Sequence, residues 1–298
     1  MLHRERVKLP KYVYPPEEWR IVEKQFYPRL LESSESIFSV GNGYLGLRGN
    51  FEEGKPVFQH GTFINGFYES WPIVYGEEAF GFAKTGQTIV NAIDAKIVKL
   101  YVDDEPFYLP TANLINFERI LDMKEGILSR DILWETPAGK HVAIKSRRLV
   151  SFVHRHLAAI LYEISVLNDQ APVVVSSEMI LPEPISAIPE DPRLARVIKN
   201  RILMPRVHRG REHRIIIGNQ TKTSRMSVAC GVDHLIETDL SYSSELTCNE
   251  ESGKIVFSFQ AKPGQSFRLV KFLTYHISRN SSADELAQRA EWSLDRKS

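Results

Sequence analysis

Cysteine is scarce in this chain, and charge of either sign has almost no excess. Cys230 and Cys248 are the two cysteines in 298 residues. They are too few for a disulfide framework and lack the spacing of a zinc site, so both are expected to be reduced, with no metal implied. Lysine plus arginine (38) nearly cancel aspartate plus glutamate (37). No summed field draws nucleic acid or an anionic membrane surface, and neither is an expected partner. No apolar run approaches the length of a membrane span, and the N-terminus MLHRERVKLPKYVYPPEEW lacks the apolar core of a signal peptide, which makes a cytoplasmic location the default expectation. G-x-S-x-G, H-E-x-x-H and the HRD and DFG triplets of kinases are missing, which removes nucleophile-elbow hydrolases, zinc proteases and protein kinases. The VAIK at 142–145 is then a decoy, with Lys145 expected on an exposed strand position.

What is present is a period of two. TIVNAIDAKIVKLYV (88–102) reads as one long strand ending at the turn formers Asp103, Asp104 and Pro106. INFERILDM, ILSRDILWE and HVAIKSRRLVSF follow, joined by Lys-Glu-Gly and Thr-Pro-Ala-Gly turns of hairpin length. HRHLAAILYEISVLN (154–168) fits a helix or a strand; Asn168, Asp169 and Pro172 before VVVSS favour a strand pair. After the proline-rich LPEPISAIPEDPR come strands at RIIIG, RMSVACGV, HLIETDLSYS, KIVFSFQ and FRLVKFLTYHIS. The expected fold is all-β, a large antiparallel sandwich in one domain over residues 1–278. The exception is SSADELAQRAEWSLDRKS, where Ser282 and Glu285 form a capping box and Leu286, Ala290 and Leu294 recur every four residues. An isolated helix of this length is marginal in water; either it packs back on the sandwich or its partner lies beyond Ser298.

Gly41, Gly43 and Gly46 match G-x-G-x-x-G, with SIFSV before them and Glu69 about twenty residues on. A dinucleotide site needs the third glycine to open a helix, however, and Gly49, Asn50, Gly54 and Pro56 follow at once. With glycine costing about 1 kcal/mol and proline about 3 kcal/mol in a helix interior, none forms there. His154 and His156 would share a face on a strand, but Arg155 intervenes and no carboxylate or cysteine sits nearby to complete a ligand set, which points to a solvated or interfacial face. The acid pairs Glu52–Glu53 and Glu77–Glu78 are expected to diverge and be solvated, without catalytic role. In HGTFINGFYESWPIVYGEEAFGFAKTGQ (60–87), Phe63, Phe67, Tyr68, Trp71, Tyr75, Phe80 and Phe82 are scattered among glycines without period. Such a loop either packs under its own aromatics or offers flat faces to sugar rings or another domain.

ESIFSVGNGYLGLRGNFEEG, GTFINGFYE and YGEEAFGFAKTGQTIVNAIDAKIVKLYVDDEPF, in order over residues 19–110, resemble the N-terminal portion of the family-65 glycoside hydrolases. That group comprises the maltose, trehalose and kojibiose phosphorylases and their hydrolase relatives. WETPAGKHVAIKSRRLVSF and the terminal helix extend the likeness to nearly the whole chain. The resemblance implies a galactose-mutarotase-like β-supersandwich, with residues 279–298 beginning a helical linker towards a separate barrel of helical hairpins. That barrel would carry the general-acid glutamate and the phosphate-binding residues, so no catalytic residue is assigned here. The implied reaction of the complete enzyme is phosphorolysis of an α-glucosidic disaccharide with inversion, giving a β-sugar 1-phosphate and glucose. Disaccharide and inorganic phosphate are its substrates, with no organic cofactor or metal and with pairing into dimers. Asn42, Arg48, Phe63, Asn65 and Tyr68 are candidates for a substrate rim or domain interface. Two other readings stay open: an autonomous carbohydrate-binding module stacking sugars on the aromatic loop, and a mutarotase-like epimerase.

Overall fold

The computed structural model describes residues 10–54, 60–77, 79–182 and 201–296. In chain order its first elements are β1 (Arg20–Glu23), α1 (Leu31–Ile37), β2 (Val40–Gly41), β3 (Leu45–Leu47), β4 (Thr62–Ile64), β5 (Tyr68–Pro72), β6 (Thr85–Ile89), β7 (Val98–Val102) and β8 (Glu105–Pro106). Long strands follow: β9 (Asn113–Asp122), β10 (Ile127–Glu135), β11 (His141–Val150), β12 (Leu157–Val166), β13 (Ala171–Ile180), β14 (Leu203–Arg211), β15 (Arg214–Thr221), β16 (Ser227–Glu237), β17 (Tyr242–Cys248), β18 (Ser252–Ala261) and β19 (Phe267–Ser278). The second α-helix among the described residues, α2 (Ala283–Asp295), comes last.

Nine strands form one sheet in the order β1-β9-β10-β11-β12-β19-β16-β15-β14, and five form a second in the order β17-β18-β13-β7-β8. All the pairings are antiparallel. The alternation read from the sequence is what holds the two layers together. On β12, Ala158, Ile160, Tyr162, Ile164 and Val166 are buried, and they share one apolar core with Val173 and Val175 of β13, Ile255 and Phe257 of β18, and Leu100 of β7. Lys145 on β11 points outward and is exposed, as expected. Segment 154–168 resolves as a turn and a strand, not a helix.

The strand expected over 88–102 is broken. β6 pairs with β5 in a separate two-stranded sheet, whereas β7 belongs to the five-stranded one. The chain changes sheets between them, meeting β13 at an isolated bridge, Asp94 to Ile180, and where the Glu178 amide donates to the Ile97 carbonyl at 3.0 Å. Residues 92–98 are nevertheless all buried. Asp94 Oδ1 accepts from Lys96 Nζ at 2.6 Å, and Oδ2 meets His60 Nδ1 at 3.0 Å. RMSVACGV and HLIETDLSYS, expected as two strands, divide differently: the first runs on through HLIE as the single strand β16, and the end of the second begins β17. The helix α1 carried no pattern in the sequence. The proline-rich segment lies largely in 183–200, which with Pro56 and Glu78 is outside the described residues.

Strand β16 is buried on both faces from Ser227 to His234 because α2 covers its outer side. Ile216 and Ala229 form a small second core with Leu286, Ala287 and Ala290. A methyl group added at Gly231 would sit 3.0 Å from Leu294 Cδ1, so small strand residues let the helix lie close. Ser282 Oγ caps α2 by accepting from the Glu285 amide at 3.1 Å. The Glu285 carboxylate turns instead to Arg289 at 2.6 Å, so only half of the capping box forms. The helix therefore packs back on the sandwich, and Arg209 fastens its outer edge to Asp284 (2.6 Å) and Glu291 (3.1 Å).

Candidate functional site

The glycine run folds as a tight antiparallel hairpin, β2 to β3, followed by extended chain. Gly43 takes a left-handed φ of 84°, which glycine adopts without strain. Asn42 Oδ1 accepts from the amides of Tyr44 (3.0 Å) and Leu45 (2.9 Å), and its Nδ2 donates to the carbonyls of Ser151 (2.6 Å) and Arg155 (3.0 Å). The turn is thus closed on its own chain and tied to the loop before β12. No helix opens after Gly46 to cradle a phosphate.

Beyond the hairpin, residues 48–53 are clasped by three arginines that occupy inward positions on β9, β10 and β11. Arg119 donates to the carbonyl of Gly49 (3.1 Å), to Ser34 Oγ and to Glu23. Arg148 donates to the carbonyls of Arg48 (2.9 Å) and Asn50 (2.8 Å) and to Glu52 (2.6 Å). Arg130 grips Glu53 with both terminal nitrogens, and Tyr162 Oη donates to the same carboxylate. Phe51 lies between Arg119 and Arg130, 4.4 and 5.5 Å from ring centre to guanidinium.

The solvated pair expected at Glu52 and Glu53 is therefore corrected: the residues are 3% and 7% exposed and fully engaged. Burial alone would raise the Glu52 carboxyl, but Arg148 and then Arg130 outweigh it and hold it below the ordinary carboxylate range. Glu52 is ionised at neutral pH and has no proton to give a leaving group. The sequence carried a signal for this clasp, since arginine at 119, 130 and 148 falls in the apolar phase of its strand. It gave no means of pairing each with its acid.

Of the other candidates, Arg48 is turned inward, with Nε on Glu35 (3.3 Å) and Nη2 on the carbonyl of Glu32 (2.8 Å). Phe63 pairs with Gly46 across β3–β4 and is half-buried. Asn65, exposed, donates to the carbonyl of Gly43 at 3.1 Å. Tyr68 packs on the core, and its carbonyl accepts from Ser224 Oγ at 2.7 Å. Asn42, Phe63 and Asn65 thus gather around the glycine hairpin, while Arg48 lies beneath it and Tyr68 opens the next one. Within 60–87, Phe67 and Trp71 are buried, whereas Phe80 is completely exposed. Glu69 does not reach towards a ribose; it accepts from the amides of Thr223 (2.9 Å) and Ser224 (2.6 Å).

Beside the hairpin stands an aromatic stack of which the sequence singled out His156 alone. Tyr44 meets the His156 ring edge-on at 4.5 Å, and His156 lies flat on His276 at 4.2 Å. His156 donates from Nδ1 to the carbonyl of Tyr275 (2.9 Å), which leaves Nε2 to accept from Arg155 (3.1 Å). His276 Nε2 meets Ser293 Oγ of α2 at 2.9 Å. Burial, followed by the neighbouring His156 and arginines 289 and 155, pulls His276 down to about 3. His156 is also lowered, chiefly by burial. Both rings are neutral at pH 7. His154 sits in the turn 152–156, exposed, so the strand geometry that would have aligned it with His156 does not arise. Among the described residues, no group of three His, Cys, Asp or Glu is placed to hold a metal ion. A cleft of about 710 Å³ opens beside the stack, lined by residues 153–157 and the last turn of α2.

The model of the glycosyl hydrolase family 65 N-terminal domain matches residues 21–298. The chain is 37% identical over 291 residues to an α,α-trehalose phosphorylase of Thermoanaerobacter brockii, a match covering 95% of this chain and 37% of that one. It is 36% identical over 281 residues to an uncharacterized glycosyl hydrolase of Mycobacterium tuberculosis, covering 94% of this chain and 36% of the other. A solved structure assigned as a kojibiose phosphorylase from the human microbiome superposes with a TM-score of 0.82 at 21% identity, over 97% of this chain and 36% of that one. That likeness establishes the shared fold. The chain spans little more than a third of the length of these relatives. Among the described residues, no helix is long and apolar enough to cross a membrane.

Proposed function

This chain belongs to glycosyl hydrolase family 65 as its N-terminal domain, and from that premise we propose that it is the noncatalytic sandwich of a longer enzyme that cleaves α-glucosidic disaccharides. The observation that carries the proposal is the fate of Glu52 and Glu53, which are sequestered by Arg148, Arg130 and Tyr162 away from solvent. The acid that protonates the leaving oxygen then comes from other polypeptide, as does the phosphate site.

In the complete enzyme, a phosphate oxygen attacks the anomeric carbon as the glycosidic C–O bond breaks with inversion. A carboxylic acid gives its proton to the departing glucose oxygen. The products are a β-sugar 1-phosphate and glucose, and the balance needs no organic cofactor or metal. The parent enzyme is read as a cytoplasmic homodimer. Residues 279–298 begin its linker, with α2 docked on the sheet to fix the exit direction. Around the glycine hairpin, Phe63, Asn65 and Tyr68 supply contacts to the rim or the neighbouring domain, and Asn42 and Arg48 hold that rim in shape. The test is to incubate the purified chain with maltose, trehalose and kojibiose plus phosphate, assaying glucose and sugar phosphate. No turnover is expected, and turnover by the chain alone refutes the proposal.

A second reading, a carbohydrate-binding module, draws support from Phe80 and Phe82, which are 108% and 49% exposed. Trp71, 9% exposed, is too covered to be its platform. Calorimetry with glucans distinguishes the two: heat that vanishes in Phe80→Ala favours the module.

A further inference from the structure

The cleft beside the histidine stack has apolar edges that nothing within the described chain covers. Val153 is 85% exposed and Trp292 60%, and both line it; Phe152, next in the chain, is 78% exposed. Scattered exposed apolar residues are ordinary, but two large ones lining one opening, with Phe152 beside them in the chain, mark a contact surface. Two guanidiniums add to it. Arg155 lies over the Tyr44 ring at 5.3 Å and Arg296 over Trp292 at 4.6 Å, and both line the cleft. Asp295, the acid in the lining, is already paired with Arg214 at 2.7 Å. The opening is therefore apolar with a basic margin.

We propose that this face is the seat of the polypeptide that follows α2 in the longer family-65 chains, and that the seated segment is apolar with a carboxylate or free carbonyls at its edge. The inference rests on the reading of this chain as one domain of a longer enzyme. Two further observations select that occupant. The last turn of α2, Trp292 to Asp295, itself forms one wall of the cleft, so whatever follows the helix leaves from this wall. The match covers 37% of the trehalose phosphorylase and is to the family's N-terminal domain, so that relative has a long stretch of chain outside it. A tethered segment beginning at the cleft is held there at an effective concentration of the order of millimolar before any contact is counted. The small residues beneath α2 and the ion pairs of Arg209 fix the helix against the sheet, so the wall is rigid and presents one geometry.

The test is hydroxyl-radical footprinting read by mass spectrometry, on the 298-residue chain and on the longer gene product. Phe152, Val153 and Trp292 are expected to react on the order of tenfold more slowly in the longer product, since the centre of an interface excludes water, while Phe80 reacts equally in both. Equal labelling of the three in both proteins overturns the inference and leaves the noncatalytic reading standing, because that reading is tested by turnover. Protection that appears only as protein concentration rises assigns the face to a second copy and also overturns it. A gene that stops at Ser298 removes the occupant and the premise together. As a second variant, Val153→Glu with Trp292→Glu changes only exposed side chains. It should leave the melting temperature of the 298-residue chain unchanged and lower that of the longer product; an unchanged longer product counts against the seat.

Discussion

Acid should loosen this domain well before its carboxylates are protonated, and two buried histidines set the magnitude. Both His234 and His276 are pulled down to about 3, chiefly by burial. His234 donates from Nδ1 to the carbonyl of His213 (2.7 Å) and shares Nε2 with Ser177 Oγ (2.7 Å), which fixes the neutral ring between β13 and β16. In the unfolded chain each ring titrates near its ordinary value of about 6.5. A folded value below the unfolded one means that the unfolded state binds more protons, so stability is full above pH 6.5 and falls as pH drops. At pH 4.5 each ring forfeits about two pH units of protonation, or about 2.5–3 kcal/mol, and the pair about 5–6 kcal/mol. That is a large share of a typical domain stability of about 5–15 kcal/mol. His156, also lowered chiefly by burial, adds to the slope in the same window, from which the other shifted groups are separable. Asp94 and Glu52, held low by their cationic neighbours, lose their contribution only below the ordinary carboxylate range, and Lys271, lowered to about 7 by burial, affects the slope only from about that pH upward. The assay is urea denaturation at half-unit steps from pH 7 to 4.5 on the parent, His276→Gln and His234→Gln. The parent midpoint should fall steadily, and each variant should lose a substantial part of the slope. A flat parent profile, or a slope that both variants retain, refutes the reasoning.

Other outcomes follow from individual contacts. Glu53→Ala leaves the buried Arg130 with Glu52 alone (3.1 Å) and Tyr162 without its acceptor, and should cost about 3–5 kcal/mol in chemical denaturation, whereas Glu237→Ala, after which Arg268 keeps its pair with Glu163 (2.8 Å) at the surface, should be near neutral. Gly49→Ala places a methyl group 2.7 Å from the Phe38 carbonyl oxygen and should destabilise by about 1–3 kcal/mol, while Gly54→Ala, with nothing within 4 Å, should be near neutral in thermal melts. Ser282→Ala removes the cap of α2 and should cost about 1 kcal/mol, seen first as faster amide exchange along that helix.

Much of the architecture was legible because strands advertise themselves locally. INFERILDM, ILSRDILWE and HVAIKSRRLVSF became β9, β10 and β11 with the turns in place, since alternation and turn residues act within a few positions of one another. TIVNAIDAKIVKLYV failed for the same reason: period two says that a segment is extended and half-buried, but not that it stays in one sheet. The acids of FEEG misled because the arginines that bury them lie 77 to 96 residues further on.

The sequence by itself determined that this chain is a layered antiparallel protein, that its glycine run opens no helix, and that it resembles family 65. Each of these depends on short-range pattern or on several motifs kept in order. Only the tertiary structure decided where α2 lies, that Arg119, Arg130 and Arg148 clasp residues 48–53, and that Tyr44, His156 and His276 stack beside an open cleft. Those arrangements join residues far apart in the chain, and a buried charge or ring takes its role from the partners that folding brings to it.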